Sequence, residues 1–340
     1  MSGNDNHGAQ TPGRVVHCKR EAYEVYIGRP GPWGNPFRVE DEAGRGAAVE
    51  RFRAWGERQP WFVDAVRREL AGATLGCWCA PRACHGDVLA AWAALQPSEP
   101  GWVMVFGSNE AGRHGKGAAL DAARHYGAEA GVGSGVTGQA WALPTKDANL
   151  RTLPLTRVAQ EVEALKVHVM RRPQTQFQVT RVGCGLAGYR DEDIAPLFEG
   201  APRNMHLPGR WERLLNPAMA PRVVVCGSRS FDDPGFLGGC LSRLGDRFGS
   251  PFELVSGGAR GADLMGEDFA IENILPLSRF PALWRTQGRA AGMARNRTMA
   301  WYATHVVAFW DGQSPGTRGM IALARREGLP VWTPRPRVGA

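Results

Sequence analysis

No apolar run in the chain approaches the roughly 20 residues that a membrane-crossing helix needs. The first residues, polar and glycine-bearing, lack the apolar segment of a secretory leader. A cytoplasmic protein with no membrane contact is expected. Lysine is scarce: Lys19, Lys116, Lys146 and Lys166 are the only four among 41 basic residues. Arginine therefore carries the formal charge of +8, and its planar fork suits phosphate, although a GC-rich coding sequence yields the same bias without functional cause. Neither a complete Walker-type Gly-x-x-x-x-Gly-Lys-Ser/Thr nor a complete Gly-x-Gly-x-x-Gly with its ribose acid is convincingly present, which ranks ATPase and dehydrogenase chemistry low. The seven cysteines are odd in number, and three crowd into Cys77 to Cys84. That distribution argues against a disulfide framework and leaves a metal or thiol role open.

At 340 residues the chain holds two or three cores. Two proline-bearing stretches, Gln96 to Gly101 and Asn216 to Pro221, are each followed by a strand-like start, Trp102 to Phe106 and Arg222 to Cys226. They divide the sequence into a small α+β domain (14–95), an α/β/α domain (102–215) and a Rossmann-like domain (221–336).

The third segment alternates strand and helix signals from Arg222 to Trp332, which predicts a parallel sheet with helices on both faces. Val255-Ser256-Gly257-Gly258-Ala259-Arg260-Gly261-Ala262-Asp263 is an apolar run feeding a glycine turn that opens a helix, a pattern that displays backbone N–H groups to an anion. Val306 to Phe309, running into Gly312, Gly316 and Thr317, repeats it. These residues, with Gly227-Ser228-Arg229 and Gly288 to Asn296, resemble the SLOG superfamily and its YspA-like branch. The resemblance implies a nucleotide-type ligand. Gly227, Ser228, Gly257, Gly258, Gly316 and Thr317 would cradle phosphates, and Arg229, Arg260 and Arg295 would clamp them, with Asn296, Asp311 and Ser314 alongside. Asp263 and Glu267 are then the acid, base or ribose contacts for N-glycosidic cleavage, or else simply carboxylates that favour a helix N-terminus. Where the branch usually reads Ala-Asp-Trp this chain has Ala282-Leu283-Trp284, and Pro276 interrupts the preceding strand. Binding survives that departure better than catalysis does.

In the middle segment, Phe106 to Ala119, Leu143 to Asp147 and Val179 to Tyr189 resemble a macro-like family frequent in phage genomes. By that resemblance Asn109 contacts a ribose and is a catalytic candidate, Gly107, Ser108, Gly115 and Gly117 pass beneath phosphates, and Gly183, Gly185 and Gly188 cradle a diphosphate. Lys146, Asp147 and His114 are open between ligand contact and ordinary turn or loop residues.

The first segment pairs Tyr26 to Phe37 with Leu75 to Asp87, and resembles a small domain family of unassigned function. Cys77 and Cys79 would alternate on one strand face, with Cys84 and His85 after a turn, a donor set that suits zinc. A thiolate helped by His85, and buried unreactive thiols, are the other readings. Arg29, Trp33 and Asn35 either grip a base or phosphate or close the core.

Together these features lead to an α/β protein that binds, and hydrolyses at an anomeric carbon, a ligand of the NAD or ADP-ribose kind, with no cofactor required and zinc one reading of the first domain. A non-catalytic nucleotide sensor or sponge and a nucleic-acid-processing protein are the rivals. The sequence carries no signal of oligomeric state.

Overall fold

The computed structural model describes residues 13–39, 41–95 and 102–335. The polar amino-terminal residues, the first linker (96–101) and the expected domain end at Pro336 lie outside the described residues.

The first unit has a three-stranded parallel sheet in the order β1-β3-β2, built from β1 (Val15–His17), β2 (Val25–Tyr26) and β3 (Leu75–Cys77). Helices α1 (Arg45–Glu57), α2 (Pro60–Leu70) and α3 (His85–Ala94) cover it. Pro60 opens α2, where a missing N–H costs nothing. Phe52, Trp55, Phe62 and Trp92 are buried together, Trp55 against Phe62 at 4.9 Å between ring centroids. The loop weighed as a base grip closes this core instead. Trp33 packs on Phe62, and Asn35 donates to the Ala48 carbonyl (3.1 Å) while accepting from the Phe37 N–H (2.9 Å).

The second unit comprises β4 (Trp102–Asn109), α4 (Gly117–His125), β5 (Gly135–Thr137), β6 (Ala140–Lys146), α5 (Leu155–Met170), β7 (Gln176–Val179), α6 (Asp191–Ile194), β8 (Met205–His206) and α7 (Gly209–Leu215). Its sheet runs β5-β6-β4-β7-β8, and the β5–β6 pair is antiparallel. Val158, Val162, Leu165 and Val169, at helical spacing, turn one face of α5 onto Trp141 and Phe177.

The third unit comprises β9 (Arg222–Gly227), α8 (Pro234–Phe248), β10 (Glu253–Ser256), α9 (Ala262–Glu272), β11 (Leu277–Arg279), α10 (Trp284–Gln287), α11 (Ala291–Tyr302), β12 (His305–Phe309), α12 (Pro315–Arg326) and β13 (Val331–Trp332). The sheet is parallel throughout, in the order β11-β10-β9-β12-β13, as the Rossmann-like expectation requires. Pro276 does not abolish the strand after it. Sitting just before β11, it needs no ladder donor, and its carbonyl accepts the Leu254 N–H at 2.8 Å.

The units share buried surface. Trp55 Nε1 donates to the Leu277 carbonyl (2.9 Å), Gln59 Oε1 accepts the Arg279 N–H (2.8 Å), and Trp61 stacks on Phe280. Between the second and third units, Trp301 is buried in the same cluster as Met104, Phe106 and Ala119.

Candidate ligand sites

In the third sheet the chain runs outward from β9 through β10 to β11, then returns to place β12 on the other side of β9. Open α/β sheets bind ligands at such a reversal, beyond the strands' carboxyl ends. A cavity of about 450 Å³ lies there, walled by Gly227, Ser228 and Arg229 after β9 and by Asp311, Ser314, Gly316 and Thr317 after β12. Asp263 from α9 and Arg295 and Asn296 from α11 complete it.

Several polar wall residues are held by their neighbours. Asp263 is buried and accepts the Gly257 N–H at 3.1 Å. Burial pushes its carboxyl up to about 6, against the opposing pull of Arg295. Arg295 Nη1 donates to the Gly257 carbonyl (2.6 Å) and Nε to Asn296 Oδ1 (2.8 Å). Asp311 Oδ1 accepts the N–H groups of Gln313 and Ser314, both at 2.8 Å, which shapes the turn into α12. Ser314 caps that helix, its hydroxyl accepting from Thr317 Oγ1 at 3.0 Å.

Several expected phosphate contacts are not displayed. Gly257 gives its N–H to Asp263, Gly258 gives its own to Ser256 Oγ (3.0 Å), and Ser228 gives its own to the Phe309 carbonyl (3.1 Å). Buried amides need partners, and these found them within the fold. Arg260 is exposed and does not line the cavity. The anion-facing surface narrows to Arg229, Arg295 and the first turn of α12 at Gly316.

Glu267, expected as acid or base, is corrected more sharply. Its Oε1 accepts from Ser256 Oγ (2.6 Å) and Arg279 Nε (2.9 Å), and its Oε2 pairs with Arg279 Nη2. Arg279 is 1% exposed and also donates to the carbonyls of Gly34 (2.6 Å) and Pro32 (3.2 Å). Glu267 thus anchors the first unit to the third and faces away from the cavity. Arg279 went unnoticed in the sequence, although a lone arginine inside an apolar strand is a signal of a buried partner.

A second cavity, about 600 Å³, opens beside β4. Gly107, Ser108, Asn109, Gly115, Gly117, Gly183 and Gly185 all line it, as do Lys116 and Lys146. Gly117 and Gly183 have φ of +58° and +78°, a region costly for other residues. Gly188 is not a lining residue; its N–H closes a turn onto the Gly185 carbonyl at 3.0 Å. Asn109 lines the hollow, yet both ends of its amide are taken by the Arg113 backbone (2.8 and 3.1 Å), so it shapes the loop. Asp147 accepts the Asn149 and Arg151 amides as a turn residue, and His114 is buried edge-on against Phe106, outside the lining. Trp301, Arg326 and Glu327 of the third unit finish the wall, a contribution that no local pattern announced.

In the first unit, donor atoms of Cys77, Cys84 and His85 lie within 4.8 Å of one another, all three residues buried. β3 ends at Cys77, so Cys79 is past the strand rather than alternating on it, and it stands outside that group of three. Hydrogen bonds from the Cys77 and Cys84 thiols hold the Cys79 thiol well below its ordinary value, with Arg45 adding to the pull. His85 Nε2 and the Ile27 carbonyl are 2.9 Å apart, and burial lowers the imidazole's affinity for a second proton.

A parallel sheet with a loop-walled hollow at its reversal point gives the third unit a Rossmann-like fold. Residues 221–286 match the YspA, cpYpsA-related SLOG family, and residues 14–95 match the Domain of unknown function (DUF4326). An uncharacterized 12.4 kDa protein in the nrdA-td intergenic region of Enterobacteria phage T4 is 36% identical over 80 residues, spanning 23% of this chain and 73% of that protein. Gene 61 protein of Mycobacterium phage D29 is 37% identical over 120 residues, spanning 32% of this chain and 93% of that protein. The chain belongs to the families of these phage proteins, with a DUF4326 segment and a SLOG segment joined in one polypeptide. Among solved structures, DNA processing protein A (DprA) from Streptococcus pneumoniae aligns over 55% of this chain and 77% of its own, at 16% identity and a TM-score of 0.29. Among the described residues no helix is long and apolar enough to cross a membrane.

Proposed function

We propose that the cavity at the β9–β12 reversal binds the phosphate-bearing part of a nucleotide-derived ligand. The observation that carries this reading is the meeting of Arg229, Arg295 and the amino-terminal turn of α12 in one hollow at that point. Aligned peptide dipoles make the helix start electropositive, and guanidinium groups supply bidentate donors. SLOG membership agrees with this ligand class.

The finer reading is a ligand of the NAD or ADP-ribose kind, with a second, macro-like site in the 600 Å³ cavity of the middle unit. For cleavage of an N-glycosidic bond Asp263 is the remaining acid or base, its raised carboxyl suited to proton transfer near neutral pH. The engagement of Glu267 with Arg279 favours capture without turnover as the second reading, because it removes one of two proposed catalytic carboxylates.

A thermal-shift panel of NAD, ADP-ribose, cyclic ADP-ribose and nucleoside monophosphates, followed by chromatography of each mixture, separates these readings. Binding predicts a raised Tm with one of these ligands, lost in Arg295→Met. Product formation that disappears in Asp263→Asn supports hydrolysis, whereas unchanged ligand recovered after denaturation supports capture. No shift with any of them, together with salt-dependent retention on DNA or RNA, replaces both with nucleic-acid binding.

A further inference from the structure

We infer that Cys77, Cys84 and His85, with Cys79 as the fourth donor, form a structural zinc site in the first unit. Two observations point to a metal rather than to inert thiols. Two sulfurs and an imidazole nitrogen converge within 4.8 Å in a buried position, a spacing that a tetrahedral ion with bonds near 2.0–2.3 Å can bridge after small side-chain adjustments. His85 is oriented for ligation: its Nε2–H is directed to the Ile27 carbonyl (2.9 Å), which leaves the Nδ1 lone pair facing Cys84 Sγ at 3.7 Å. Metal-binding imidazoles are commonly fixed by this kind of outer hydrogen bond.

The surroundings also suit thiolates. Gly86 donates its N–H to Cys84 Sγ at 3.3 Å from the start of α3, and Cys79, half-buried, follows Cys77 by two residues. Three thiolates and one imidazole around Zn²⁺ leave a net negative charge of one. Binding releases the thiol protons to solvent without any change of oxidation state. The site is separate from the cavity at β9 and β12, so its test and the ligand test fail independently.

The experiment uses the full chain purified with reductant and without chelator. Elemental analysis should find about one zinc per chain. Replacing it with Co²⁺ should give thiolate-to-cobalt charge-transfer absorption and the visible bands of a tetrahedral ion, saturating at about one equivalent. Cys84→Ser should abolish both signals, Cys79→Ser should weaken retention, and Cys226→Ser, in the third unit, should leave them intact. Should Cys84→Ser fail to fold, alkylation of the natural chain gives the answer: Cys77, Cys79 and Cys84 react only after a chelator is added. Metal-free protein that gives no cobalt spectrum, stoichiometric zinc retained in Cys84→Ser, or iron or copper in place of zinc would each overturn the assignment.

Discussion

Asp263 and Glu267 stand one turn apart on α9, yet they belong to different regions with different logic. Asp263 looks into the cavity and accepts backbone N–H groups, with no ion pair closing it off. Glu267 looks into the junction between the first and third units, where Arg279 and Ser256 engage both of its oxygens. A carboxylate's residue type and helical spacing therefore say little about its role; what lies across from it decides. The junction is a stability element, and the cavity keeps polar groups available at a cost in stability.

Removing the partner in the junction should give the largest effect. Arg279→Ala leaves Glu267 buried without its counter-ion and frees two carbonyls of the Pro32–Gly34 loop, so unfolding free energy should fall by about 3–5 kcal/mol. Chemical denaturation measures it. A loss below about 1 kcal/mol would mean that the junction is not the stability element described.

In the cavity the sign reverses. The Asp263 carboxyl is raised from 3.8 to about 6, so the folded state holds its proton more tightly than the unfolded chain. Its contribution is present below pH 4 and lost as pH rises through 6, a decline on the order of 3 kcal/mol before relaxation is allowed for. Asp263→Asn should therefore raise the Tm at pH 8, leave it nearly unchanged at pH 4, and flatten the profile between. Equal destabilisation at both values would erase the contrast with Glu267.

Two smaller changes sharpen it further. Ser314→Ala removes the cap of α12 and should cost about 1 kcal/mol by thermal or urea unfolding. Gly316→Ala meets nothing within 4 Å, so its effect on unfolding should stay within about 0.5 kcal/mol. Any large loss of ligand binding in that variant would then report directly on the first turn of α12.

The third sheet was legible because local signals agree: apolar runs, glycine turns and helical spacing each name the same element, and β9, β12 and α12 formed where these placed them. What stayed illegible depends on distant partners. Arg279 meets Glu267 across the sheet and Gly34 from another unit, a pairing without local periodicity. The amides of Gly257 and Gly258 were expected to be free, but the loop folds back on Asp263 and Ser256. In the cysteine cluster the donor types were legible but the backbone that joins them was not: Cys84 is an extended cap (φ −138°, ψ 142°) and His85 the first helical residue, and that change of backbone direction lets neighbouring residues both be buried.

Helix α12 begins at one hollow and ends at the other: Ser314 to Thr317 border the reversal cavity, while Arg326 and Glu327 border the cavity beside β4. Its 12 residues make a stiff strut of roughly 18 Å. The Arg326 carbonyl accepts from Arg181 Nη1 of the second unit at 3.2 Å, so one helix borders both chambers and is pinned at its far end by the neighbouring unit.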